Sequence, residues 1–260
     1  MNVRDMFDLT NKVAVVTGSG SGLGAQLSIA MAEAGADVVC GDVNEKGNQE
    51  TVQKIKAMGR KALSVLCDVS DEEQVAKLIQ VTEKEFGQLD IAIAAAGISD
   101  PNSVLTDEYT TDGWKKTLDI NLSGVFYTNR EALKIMKKQK SGKIINISSM
   151  WGLAGTSGVF PGTAYSATKG AVINLTRELA LQYAPFNIQV NAICPGYFST
   201  NIGNGLFDDQ EFIKQGEKVI PMNRIANAEE IKGTGLYLAS SASDYTTGLM
   251  LVTDGGYLAQ

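Results

Sequence analysis

The chain has 260 residues, 44% of them hydrophobic and 20% charged, which suits one domain with a sizeable core. Lysine and arginine number 23 against 29 acidic residues, and the net charge of −6 repels nucleic-acid phosphates and anionic lipid surfaces. Histidine is absent, which excludes Ser-His-Asp and Cys-His hydrolysis, His-ligated metals and His acid–base work.

Taken in chain order, the opening MNVRDMFDLTNK is charged and has no apolar core of a secretory signal. A first strand is expected over Lys12–Thr17 and a helix over Leu23–Ala34. Strand and helix then alternate: Asp37–Gly41, Glu45–Met58, Ala62–Val69, Asp71–Phe86, Asp90–Ala96, Asp112–Lys138, Lys143–Ser148, Ala164–Tyr183, Gln189–Cys194, Ala228–Ala239 and Leu249–Val252. Gly35, Gly59 and Gly87 follow three of the helices, where a left-handed residue is favoured. Ser70 with Glu73, and Asn227 with Glu230, have capping-box spacing. Strands that are continuously apolar and separated by helices predict a doubly wound, Rossmann-like α/β fold: about seven parallel strands with helices on both faces, one domain over 1–260. No run approaches the ~18 apolar residues of a membrane span. Cys40, Cys67 and Cys194 form no CxxC and read as buried, reduced thiols, so a cytoplasmic location is expected. The interval Tyr197–Met222 interrupts the alternation and is the expected substrate lid.

The first strand runs into Thr17-Gly18-Ser19-Gly20-Ser21-Gly22-Leu23-Gly24. Glycines allow a tight reversal and a close backbone approach to a pyrophosphate, and the following helix N-terminus supplies free N–H groups. Asp42 closes the second strand, 18 residues past Gly24, where a dinucleotide site places its ribose-binding carboxylate. That carboxylate repels a 2′-phosphate. Ser19 and Val43 beside it are uncharged, and Lys46 belongs on an outward turn, so NAD is expected over NADP.

Tyr165 and Lys169 stand at i and i+4 near the start of a helix, on one face. Tyrosine ionises near 10, too high for a base at neutral pH. An ammonium and an oxidised nicotinamide ring both stabilise the phenolate; bringing it to about 7 takes roughly 4 kcal/mol.

The ensemble of motifs resembles the short-chain dehydrogenase/reductase family of single-domain type, over essentially the whole chain. It comprises Thr17–Gly24, Asp68-Val69, Asn121, Ser148-Ser149, Tyr165-xxx-Lys169 and Pro195-Gly196, in the family's order. The resemblance implies Tyr165 as general acid/base and Lys169 as the group that lowers its pKa and holds the nicotinamide ribose. It implies Ser149, in register before Gly152, as the hydrogen-bond donor to the substrate oxygen, with Ser148 the alternative. Asn121 would anchor a water that relays protons past Lys169. Cofactor contacts are implied for Gly18, Ser21, Gly22, Leu23, Gly24, Asp42, Val43, Asp68, Val69, Ala95, Gly97, Tyr165, Lys169, Pro195, Gly196 and Thr200. A homotetramer pairing the two long helices and the last strand is implied as well. Two departures stand out. Ala94-Ala95-Ala96-Gly97 replaces the usual Asn-Asn-Ala-Gly, which should alter local bracing. The 16 residues from Ser149 to Tyr165 exceed the common spacing, the extra ones falling in 155–161.

The expected reaction is metal-independent, reversible hydride transfer between NAD and a secondary alcohol or ketone. Ser149, Trp151, Tyr165 and Tyr197 are the expected substrate contacts, with Ser99, Asp100, Asn102, Phe160, Phe198 and Phe207 as further wall residues. Acidic Asp208, Asp209 and Glu211 against Lys214 and Lys218 favour a free small polyol, sugar derivative or hydroxy acid over a 3-oxoacyl chain on an acidic carrier. A non-catalytic NAD sensor is the reading from another class, and retention of Asn121, Ser149, Tyr165 and Lys169 argues against it.

Overall fold

In the first strand, β1 (Val13–Thr17), every side chain is buried, because successive residues face two different cores. Ala14 and Val16 pack into the cluster on one side of the sheet, and Val15 into the cluster on the other. Val38 and Cys40 against Val39, and Ile145 and Ile147 against Ile144, repeat the division. Each fully buried Val or Ile contributes about 1.5–3 kcal/mol, so continuous apolar runs are what a sheet covered on both faces requires.

A computed structural model describes residues 2–101, 103–156, 161–200, 202 and 210–260, the side chains of Gln210 and Phe212 excepted. After β1 come α1 (Gly22–Glu33), β2 (Asp37–Asp42), α2 (Glu45–Ala57), β3 (Ala62–Leu66), α3 (Glu72–Phe86) and β4 (Ile91–Ala94). Then follow α4 (Thr111–Leu118), α5 (Gly124–Gln139), β5 (Gly142–Ile147), α6 (Thr163–Tyr183) and β6 (Ile188–Pro195). The chain ends through β7 (Phe198–Ser199), α7 (Gln210–Val219), β8 (Ala226–Asn227), α8 (Ile231–Ala239) and β9 (Met250–Thr253). The main sheet has seven strands in the order β3-β2-β1-β4-β5-β6-β9, all parallel. The chain winds outward from β1 to β3, then restarts at β4 on the other side of β1. This reversal opens a crevice at the C-terminal ends of β1 and β4, the position where such sheets bind ligands.

Local chemistry agrees with expectation at several ends and departs from it at others. Gly35, Gly59 and Gly87 all have positive φ after their helices. The Asn227 N–H donates to Glu230, completing one expected box. At α3 the cap is Asp71, not Ser70: its carboxylate accepts from the N–H groups of Glu73 and Gln74. Ser70 instead donates its hydroxyl to Asp68.

The expected single helix Asp112–Lys138 is two helices, α4 and α5, joined through a π-helical turn at Asp119–Ser123. The interval Tyr197–Met222 is not irregular throughout. It contains α7, and the short parallel pair β7 and β8 closes its base. The three cysteines are buried and unpaired, and burial pushes their thiols up, to about 11 for Cys40 and Cys194 and about 12 for Cys67. Among the described residues, no helix is long and apolar enough to cross a membrane.

Candidate active site

The crevice is a cleft of about 660 Å³ that runs from the glycine loop to the start of α6. Its construction begins at Gly18 (φ +72°), where a Cβ would stand 2.6 Å from the main-chain nitrogen of Ala96. A Cβ on Gly24 would collide with the carbonyl oxygen of Gly18. Only glycine lets β1, the loop and β4 close so tightly. No side chain caps α1 at Ser21 and no acid occupies its first turn, which keeps the helix N-terminus open to an anion.

Asp42 sits at the rim of this loop. Its Oδ2 accepts from the Gly20 N–H at 2.7 Å and its Oδ1 from the Asn44 N–H at 2.7 Å. Each oxygen retains acceptor capacity toward the cleft. The aspartate is therefore both a turn residue and a carboxylate presented to a ligand. Val43 beside it is 62% exposed, and Lys46 points outward, its ammonium 4.0 Å from Glu50. Asp68 is oriented by the Ser70 N–H and hydroxyl.

At the other end, Tyr165 and Lys169 share the cleft-facing side of α6 with Ser149 opposite. Lys169 is 3% exposed. Its Nζ donates to the Ile147 carbonyl at 2.9 Å and lies 5.6 Å from the centre of the Tyr165 ring. The two neighbouring serines differ in what they have left to give. The Ser148 hydroxyl donates to the Lys169 carbonyl at 2.8 Å, tying β5 to α6. The Ser149 oxygen accepts from the Trp151 N–H, which leaves its proton free. The Ser149 hydroxyl also holds the Tyr165 phenol down.

The electrostatics run against expectation in one respect. From the chain's own groups, burial pushes the Tyr165 phenol up; the Ser149 hydrogen bond pulls it down and the Asp100 charge pushes it up again. Lys169 is itself driven down by burial, to about 8, and at neutral pH it is still mostly an ammonium. A neighbouring lysine thus does not acidify the phenol unaided.

Asn121 is fully buried in the π turn rather than on the cleft wall. Its amide accepts from the Ile98 N–H and donates to the Ile98 carbonyl, both at 2.9 Å. These bonds brace the segment after β4, where the alanines 94–96 offer no side-chain amide. The amide also reaches the Thr168 hydroxyl at 3.5 Å. A Cβ on Gly97 would press on both Asn121 and Lys169, at 3.3 and 3.4 Å.

All sixteen residues expected to touch the cofactor line this one cleft. Trp151 and Tyr197 do not line its described part: each is 6% exposed, and their rings meet edge-on at 6.2 Å and both pack on Tyr257. Asn102, Phe160, Phe207, Asp208 and Asp209 lie outside the described residues. Sequence reading missed Lys116 and Ile120, which line the cleft four apart on the segment leading to Asn121, and Pro101 and Ile202. Their i, i+4 spacing on one helical face was the available signal for the first two.

Comparison with known proteins follows the same outline. Residues 18–258 match a family model described as enoyl-(acyl carrier protein) reductase. A crystal structure of a short-chain type dehydrogenase/reductase from Mycobacterium marinum superposes with a TM-score of 0.95 at 35% identity, covering 100% of both chains. The chain belongs to the short-chain dehydrogenase/reductase family. It is a nicotinamide-dependent oxidoreductase acting on CH–OH groups. The 2-dehydro-3-deoxy-D-gluconate 5-dehydrogenase of Dickeya dadantii (strain 3937) is 38% identical over 259 residues, 99% of this chain and 100% of the relative. A gluconate 5-dehydrogenase from Burkholderia cenocepacia J2315, solved with NADP and tartrate, is 34% identical with a TM-score of 0.93 and covers 100% of both chains.

Proposed function

We propose that the protein oxidises and reduces a free, small hydroxylated substrate, a polyol, sugar derivative or hydroxy acid, with NAD. The observation that carries this reading is the single cleft that joins the glycine loop and Asp42 to Ser149, Tyr165 and Lys169. The sugar-acid activity named for the Dickeya relative supports the substrate class. Asp42, with no cation beside it, supports NAD, although the Burkholderia relative was solved with NADP.

The cradle fits a dinucleotide: the glycine contacts leave no room for a Cβ, and the α1 N-terminus is uncapped toward the cleft. Gly18, Ser21, Gly22, Leu23 and Gly24 would hold the pyrophosphate, Asp42 and Val43 the adenosine ribose, and Asp68 and Val69 the adenine. Ala95, Gly97, Pro195, Gly196 and Thr200, with Lys169, would hold the nicotinamide end. Bound nicotinamide supplies the hydride acceptor or donor and, when oxidised, a positive charge. Ser149 donates its proton to the substrate oxygen. Tyr165 Oη takes or returns the hydroxyl proton, and Lys169 steadies the phenolate. Asn121 braces the segment after β4 and anchors a water that carries the proton onward past Lys169. None of these roles calls on a metal.

The segment 197–222, of which residues 201 and 203–209 lie outside the described residues, is the substrate lid of a single domain. A carrier-bound 3-oxoacyl substrate is the second reading, favoured by the description of the matched family model. A panel of polyols, hydroxy acids and 3-oxoacyl thioesters, followed by nicotinamide absorbance, separates the two. Turnover of free hydroxylated compounds supports the first reading, and thioester reduction alone overturns it. NAD binding without turnover of any member identifies a sensor instead.

The protein acts in the cytoplasm as a homotetramer. Trp114 on α4, Phe126 on α5, Leu181 on α6 and Val252 on β9 leave apolar surface exposed, on the elements that family members pair. Sedimentation is expected to give four times the chain mass, 27.7 kDa each; a monomer would refute the assignment.

A further inference from the structure

Helix α6 carries Tyr165 near its N-terminus but has no cap of its own. It begins after Gly162, which provides no side-chain hydrogen bond, and its first turn contains no acid. The missing acceptor comes from the loop after β4. Asp100 is 8% exposed, and its Oδ1 accepts from the Tyr165 N–H at 2.9 Å and from the Tyr109 hydroxyl at 2.8 Å. The same loop grips the helix a second time, where the Thr106 and Thr163 hydroxyls meet at 2.9 Å. The bond to Tyr165 is the one a local cap would make with the third residue of a helix.

We propose that Asp100 is a positioning residue for the acid/base: it caps the Tyr165 helix from a distant loop and holds a negative charge at the helix turn that carries the phenol. The proposal rests on the reading of Tyr165 as the acid/base. Among the described residues, Asp100 Oδ2 is buried without a hydrogen-bond partner and no lysine or arginine forms an ion pair with the carboxylate. Burial pushes the Asp100 carboxyl up, while the Tyr109 hydroxyl and the N–H groups of Tyr165 and Ala164 hold it down. Tyr109 itself is pushed up to about 12 and remains a donor. The groups that face Tyr165 are Lys169 on its own helix, Ser149 after β5, Asp100 and Tyr109 after β4, and the phenols of Tyr197 and Tyr257 in the adjoining aromatic cluster. Cys194 on β6 acts on Lys169. Asp100 and Lys169 therefore bring opposite charges to one phenol. The carboxylate favours a protonated Tyr165, and the positive charge that a bound oxidised nicotinamide would supply opposes it.

The test compares wild type, D100N, D100L and Y165F as full-length enzyme with NAD and a turned-over alcohol. Asparagine keeps an acceptor for the Tyr165 N–H and removes the charge. D100N should therefore retain its thermal midpoint and its KM for NAD, while the rising limb of kcat/KM moves to lower pH. D100L removes the acceptor as well, and kcat should fall about 10²-fold through misplacement of the phenol. The proposal is overturned if D100N keeps the wild-type pH profile while Y165F is inactive. If D100L is unstable, D100N decides alone. Full activity of Y165F would instead remove the reading beneath the proposal.

Discussion

Tyr165→Phe is expected to lower kcat by about 10²–10⁴-fold, the usual worth of a positioned acid/base, with NAD affinity almost unchanged. The substitution removes one oxygen from a ring that packs beside Trp151 and Ala154 and keeps the apolar contacts of that cluster. Lys169 retains its bond to the Ile147 carbonyl, which does not involve the phenol. Loss of turnover in Y165F is then attributable to the missing proton carrier and not to a collapsed site. Steady-state kinetics together with NAD titration by protein fluorescence makes the distinction. A variant that binds NAD and keeps more than a tenth of wild-type kcat would contradict the assignment.

The second large effect concerns cofactor choice. Wild type is expected to use NAD with the higher kcat/KM, and Asp42→Asn combined with Val43→Arg should reverse the preference. Asparagine still offers an acceptor to the Gly20 N–H, so the loop keeps its brace. It loses the charge that strengthens a bond to a ribose hydroxyl and repels a 2′-phosphate. A hydrogen bond to a charged group is worth about 1.5–3 kcal/mol, or roughly 10–100-fold in kcat/KM for each cofactor. Val43 is exposed at the rim, where an arginine has room to meet a phosphate. Initial rates with both cofactors read the outcome. Wild-type preference for NADP would show that Asp42 serves the loop alone.

The parts of the fold that rest on local pattern were legible before any coordinates. Seven apolar runs became seven parallel strands because alternate residues such as Val15 and Val16 enter separate cores. The residues that line the cleft were legible for a related reason, since a tight glycine turn and a strand-end carboxylate are local features. What stayed hidden depends on contacts between distant segments. Nothing in Asp112–Lys138 breaks a helical pattern, so the π turn that buries Asn121 against Ile98 has no local marker. Asp100 caps a helix 65 residues further on, a relation no spacing rule encodes. Trp151 and Tyr197 were placed in the substrate wall because aromatics beside a cleft suggest one. Their rings pack on each other and on Tyr257, outside the described part of the cleft. At α3, Asp71 and not Ser70 is the cap, a shift of one residue, because the Ser70 hydroxyl is engaged by Asp68 while the Asp71 carboxylate meets the free N–H groups.

Acidification of Tyr165 requires positive charge beyond Lys169, because burial and Asp100 both act against the phenolate. Ultraviolet titration of phenol ionisation, with and without saturating NAD, in wild type and in Y165F, isolates that one group. NAD should bring the ionisation of a single phenol to lower pH in wild type and do nothing in Y165F. Identical wild-type curves with and without NAD, or an NAD-dependent shift that survives in Y165F, would contradict the assignment of Tyr165 as the base.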